Sequence, residues 1–177
     1  MKWIAAVFGL YAGLLASGAG AQSPQGAVVT PVAECPSTAT LDLLVKAINE
    51  GVSGPANKDR TCFRALFAPN ARLMPLVATP DGGMTPHILT VDDWIDAVSK
   101  HGSTVLSEQQ VKVTTETYGH LAHLWSTYEL KPAPDAPAVI RGINSIQAAF
   151  DGRQWKIISI LWQAETATEK IPEKYLP

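Results

Sequence analysis

The sequence predicts an α+β domain, with three helices in its first half and a long antiparallel sheet after them. Two observations carry this. Apolar residues recur every three or four positions before about residue 102 and alternate with polar ones after residue 108. Asp151-Gly152 then sits between two such alternating runs, which is the signature of a two-residue hairpin turn. The composition agrees with a folded chain: of 177 residues, 46% are hydrophobic and 17% charged, with a formal net charge of -2. That excludes intrinsic disorder. Without a basic run, it also argues against a nucleic-acid footprint. One domain is the expectation for this length.

The first residues are expected to be removed. Met1 and Lys2 open the chain, an apolar run extends from Trp3 to Ala16, and Ala19-Gly20-Ala21 offers a small-x-small cleavage site. This is the layout of a secretory leader. The alternative, an uncleaved anchor, needs about 20 apolar residues, and Ser17 to Gly20 breaks the run first. The expected division is a leader 1–21, a flexible arm 22–37, a domain 38–166 and a tail 167–177. Loss of Lys2 moves the formal charge to -3. The mature chain is expected to be soluble, exported to a periplasm or secreted, with no membrane association after leader removal.

Export decides how the two cysteines read. In an oxidising compartment an even count favours a disulfide between Cys35 and Cys62 over two buried thiols. A catalytic cysteine is disfavoured, since neither has an adjacent histidine or basic cluster.

Leu41, Leu44, Val45 and Ile48 give an amphipathic helix from Thr38 to Asn49, stopped by Gly51. Cys62, Phe63, Leu66 and Phe67 form the inner stripe of a second helix ending before Pro69. Arg72 to Val77 reads as a strand, and Pro80-Asp81-Gly82-Gly83 as a turn. Thr90, with Asp93 three residues on, resembles a capping box opening a third helix whose buried side holds Trp94, Ile95 and Val98 and whose end is Gly102. Strands follow over Glu108–Tyr118, with Val111 and Val113 on one face, then His120–Leu130, Val139–Phe150 and Gln154–Glu165.

The stretches FRALFAPNARL, LTVDDWIDAV, GHLAHLWSTYE and RGINSIQAAFDGRQWKIISILWQAE resemble, in that order, the nuclear-transport-factor-2-like superfamily, in particular its SnoaL-like and ketosteroid-isomerase-like members. The resemblance covers about residues 38–165. It implies a cone: a strongly curved antiparallel sheet wrapped round three helices, with a pocket at the open end. It also implies a homodimer, formed through the convex sheet face. Function is not implied, because one fold carries many activities. The isomerase site needs a tyrosine, a protonated aspartic acid and a second, proton-moving aspartate. No tyrosine stands in TLDLLVKAINE and no acid in ARLMPLV.

Strand alternation gives the expected pocket. Ala122, Leu124, Ser126, Tyr128 and Leu130 form the more uniformly apolar phase of their strand and are assigned inward. Asn144 shares a phase with Ile146 and Phe150. Trp94, Leu124, Ser126, Tyr128, Asn144 and Trp162 are thus the candidate lining, suited to a small apolar molecule. The candidate acid–base residues are His123, Tyr128 and Glu129. Arg141 reads as a strand-edge salt bridge or a pocket anion contact. His120 and His123 point to opposite faces of one strand. No metal-ligand spacing, phosphate loop or dinucleotide fingerprint occurs, so neither metal nor cofactor is expected. Two functions stand: a non-catalytic domain binding a small ligand or a protein partner in the cone, and a small isomerase, dehydratase or cyclase.

Overall fold

The computed structural model describes residues 34–177, so the leader and residues 22–33 of the arm lie outside the described residues. The elements in order are α1 (Leu41–Val52), β1 (Gly54–Pro55), α2 (Thr61–Arg64), β2 (Phe67–Ala78), β3 (Met84–Pro86), α3 (Val91–Ser99), β4 (Val105–Tyr118), β5 (Leu121–Lys131), β6 (Ile140–Phe150) and β7 (Trp155–Ala164), then a 3-10 turn, Glu173–Tyr175. Seven strands form one open sheet in the order β1-β4-β5-β6-β7-β2-β3. The α+β order expected from the sequence is present. One joint differs from the all-antiparallel expectation: β2 runs parallel to β7, with β3, α3 and the β4–β6 meander between them in the chain.

The helices cover one face of this sheet. In α1, Leu44, Ala47, Ile48 and Val52 are buried. They join Phe63, Leu66, Phe67, Leu73, Leu124, Ile146, Ile157 and Ile160 in one core. Burying side chains of this size stabilises by about 1.5–3 kcal/mol each before entropy is counted. Thr40 caps α1 by accepting from the Leu43 amide at 3.2 Å. At α3, Thr90 and Asp93 make the reciprocal capping box that their spacing predicts, with the Asp93 amide donating to Thr90 Oγ1 at 3.0 Å.

Three local departures from the expected elements have physical causes. Gly51 lies inside α1 instead of stopping it; a Cβ there would meet Phe63 Cδ2 at 2.6 Å, so the missing side chain lets α2 pack close. The second helix is a single turn, and β2 begins at Phe67. Pro69 and Asn70 sit at an irregularity of the β2–β7 ladder, where Asn70 takes a positive φ of 64°. An asparagine tolerates that left-handed conformation better than most residues. The C-terminal segment packs on the outer sheet face. There Ile171 is buried, the Tyr175 ring lies 5.8 Å from Trp125, and Thr127 and Lys112 donate to the Tyr175 and Leu176 carbonyls, each at 2.6 Å. The apolar outer phase of β5 therefore has an internal cover over part of its length.

Cys35 and Cys62 are joined by a disulfide that closes a 27-residue separation. The bond ties the end of the arm to α2. Chain-entropy arguments give such a loop about 3.5 kcal/mol. Denaturant unfolding with and without reductant is expected to show a loss of about that size.

Candidate functional site

The concave face of the sheet and the three helices line an open-mouthed cavity of about 190 Å³. Four of the six residues expected to line it are among its walls: Trp94, Tyr128, Asn144 and Trp162. The β5 phase that the apolar count assigns inward is the buried one. Ala122, Leu124 and Ser126 are fully buried and Tyr128 is 6% exposed. Leu124 lies outside the cavity wall, sealed in the core among Ile146, Ile157 and α1. Ser126 is likewise behind the wall, where it donates to Gln110 Oε1 at 2.5 Å.

The acid–base set His123, Tyr128 and Glu129 does not converge. Strand alternation turns Tyr128 into the cavity and the other two outward. His123 Nε2 meets Ser145 Oγ at 3.1 Å, and its Nδ1 lies 3.7 Å from Glu116. Glu129 pairs with Lys131 at 3.4 Å. Arg141 makes a salt bridge with Glu165 at 2.8 Å. Among the described residues no group of three His, Cys, Asp or Glu is placed to hold a metal, and no helix is long and apolar enough to cross a membrane.

The group that alternation missed is Glu108. Counting back from Val113 and Val111 places it on the outer face with Lys112. The register between β4 and β5 shifts after Gln110: Gln110 pairs with Tyr128, and the next pair is Lys112 with Thr127. Val111 is thus an extra residue in β4, and such a bulge reverses the phase of every side chain before it. Glu108 and Gln110 therefore share the inward face with Val113.

A polar cluster follows from this reversal. Gln110 Oε1 accepts from both Ser126 Oγ and Asn144 Nδ2, the latter at 3.0 Å, and its Nε2 donates to Glu108 Oε1 at 3.2 Å. The strand is held in place from α1. Asn49 Oδ1 accepts the Gln110 amide at 2.8 Å, and Ser53 Oγ both accepts the Glu108 amide at 3.0 Å and donates to the Glu108 carbonyl at 2.9 Å. Asn49 and Ser53 are one helical turn apart, so they meet the same stretch of β4.

Burial pushes the Glu108 carboxyl up to about 7, with the Gln110 amide opposing that rise. Burial, and then the neighbouring Glu108 charge, pushes the Tyr128 phenol up as well. The Tyr128 hydroxyl has no hydrogen-bond partner among the described residues. Its ring lies against Gly142, the residue opposite it on β6. A Cβ at Gly142 would meet Tyr128 Cε1 and its hydroxyl at 2.6 Å and the Gln163 carbonyl at 2.3 Å. Glycine is what leaves room for the phenol there.

No protein-family model and no curated protein matches the chain. Solved structures do match it. An NTF2-like protein of unknown function from Pseudomonas putida is 15% identical, with a TM-score of 0.54 over 77% of this chain and 94% of that one. A Nostoc punctiforme protein with a cystatin-like fold gives 11% identity and a TM-score of 0.53, over 72% and 90%. A Novosphingobium aromaticivorans protein assigned as the beta subunit of an aromatic-ring-hydroxylating dioxygenase gives 12% and 0.54, over 75% and 90%. The chain has the NTF2-like fold.

The raised Glu108 carboxyl has a stability consequence. Its folded value exceeds the unfolded one, so the native state binds the extra proton between about pH 4.5 and 7. Stability from this group is present below that window and is lost as pH rises through it. Glu108→Gln should therefore change little at pH 5 but gain up to about 3 kcal/mol over the parent at pH 8, read by denaturant unfolding at both pH values. Equal pH slopes for the two proteins would refute the burial of this carboxyl.

Proposed function

We propose that the protein is an exported, non-catalytic binding domain whose cone holds a small, mainly apolar molecule by one polar group. The observation that supports this most is the cavity itself: aromatic and aliphatic walls, with Glu108, Asn144 and the Tyr128 hydroxyl together in one patch. Apolar walls with a few convergent polar groups are what small-molecule sites consist of. The disulfide fits an oxidising compartment and so favours export. Native mass spectrometry of protein purified from its exported compartment should show a mass retained on the folded chain and released on unfolding. A bare chain that also binds no apolar probe counts against the reading.

One observation favours a second reading, a small acid–base enzyme. A carboxyl near pH 7 in a cavity is suited to proton transfer, and Glu108 is such a group. Against it, Tyr128 and Glu108 are not hydrogen-bonded to each other, and neither His123 nor Glu129 reaches the cavity. Turnover that disappears in Glu108→Gln would favour the enzyme.

The proposal includes a homodimer, formed over the part of the convex face that the tail leaves open. A groove of about 270 Å³ remains there, lined by Leu76, Trp125, Ile143, Leu161, Ile171 and Pro172. Light scattering at micromolar concentration should give twice the chain mass; the mass of one chain removes the dimer.

A further inference from the structure

Within the cavity Glu108 is the single group able to carry a charge near neutral pH. Around it stand four aromatic rings, those of Phe63, Trp94, Tyr128 and Trp162. The ring of Phe63 lies 4.8 Å from that of Trp94. No lysine, arginine or histidine is among the lining residues. One cation touches the back of this wall: Arg60 sits over the Trp94 ring at 5.3 Å. Its guanidinium donates to the Gly51 carbonyl near the C-terminal end of α1, where the helix dipole favours a positive charge. Arg60 therefore serves the helix end and lines no part of the cavity wall.

A carboxylate in such a wall, with one amide donor as its partner, is under-compensated, and buried charges are normally paired. An anionic ligand would add repulsion. A neutral apolar ligand would displace solvent from the carboxylate and give nothing in return. A monovalent cation with a soft, apolar surface satisfies both components at once, pairing with the carboxylate and lying on ring faces that attract positive charge.

Resting on the binding function proposed above, we infer that the ligand of the cone is an organic cation, a compact alkyl- or arylammonium whose charged nitrogen faces Glu108 and whose hydrocarbon part lies among the aromatic rings. Binding then rises with pH as the carboxyl ionises. The groups that face Glu108 do not blur this dependence. From β5 the titratable neighbour is Tyr128, whose phenol is pushed further up and stays neutral. From β4 and β6 the neighbours are the uncharged amides of Gln110 and Asn144. The portions of α1, α2, α3, β2 and β7 that line the cavity present no ionisable side chain.

The test uses the mature chain and three probes of similar size: phenyltrimethylammonium, its neutral isostere tert-butylbenzene, and benzenesulfonate. Tryptophan fluorescence follows binding. At pH 8.5 the ammonium should bind at least about tenfold more tightly than the isostere, with benzenesulfonate weakest. Its affinity should fall about tenfold between pH 8 and pH 6, while that of the isostere stays level. Glu108→Gln should erase the preference and the pH dependence yet still bind tert-butylbenzene, which shows that its cavity is intact. If tert-butylbenzene matches the ammonium in the parent protein at pH 8.5, the cation is refuted and the apolar binding site stands. If none of the three binds, both fail.

Discussion

Val111 is the residue that the β4–β5 ladder skips between Gln110 and Lys112, and the contents of the cone depend on it. With a regular ladder Glu108 and Gln110 would face out, and the inner face would hold only uncharged groups. The extra residue turns both inward. Gln110 then bridges three strands, accepting from Ser126 on β5 and Asn144 on β6 while donating to Glu108 on its own strand. Without that amide a buried serine hydroxyl and a buried asparagine would each lack a partner, at a cost of about 1–3 kcal/mol apiece. The carboxyl, the amide cluster and the bulge are therefore one unit. Asn49 in α1 and Ser53 at the end of that helix fix it by bonding to the main chain around it.

Much of the fold was legible because it rests on local chemistry. Thr90 and Asp93 announce a helix start three residues apart, and the structure forms that capping box. The inward phase of β5 follows from counting apolar residues, and Tyr128 is where the count puts it. The failures are all places where a distant element overrides a local signal. Gly51 reads as a stop, but Phe63 needs its bare backbone. Pro69 reads as the stop of a second helix, but β7 draws Phe67 into the sheet. No sequence pattern marks a bulge such as that at Val111, because its only trace is a register change on a neighbouring strand. That is why alternation along β4 does not single out Glu108, while His123 and Glu129 stand out beside Trp125 and Tyr128.

The outer face shows how one signal can have two physical sources. Apolar residues on both phases of β5 imply a cover on each side of the sheet. The helices supply the inner cover. On the outside the chain's own C-terminal segment supplies part of it, with Ile171 buried and Tyr175 against Trp125. Alternation reports that a surface is covered; it is silent about what covers it.

The parallel joint has a consequence in time. β2 spans residues 67–78, yet its partner β7 begins at residue 155. The antiparallel strands β4 to β7 can pair in succession as each follows the last, through short links. The wall between β2 and β7 must instead wait until almost the whole chain exists, and contacts that distant in sequence form slowly. Leu73 and Ile160, which face each other across that joint, both line the cavity. The cavity is thus expected to be among the last parts of the molecule to take shape, closing only after the rest of the sheet has provided an edge for it.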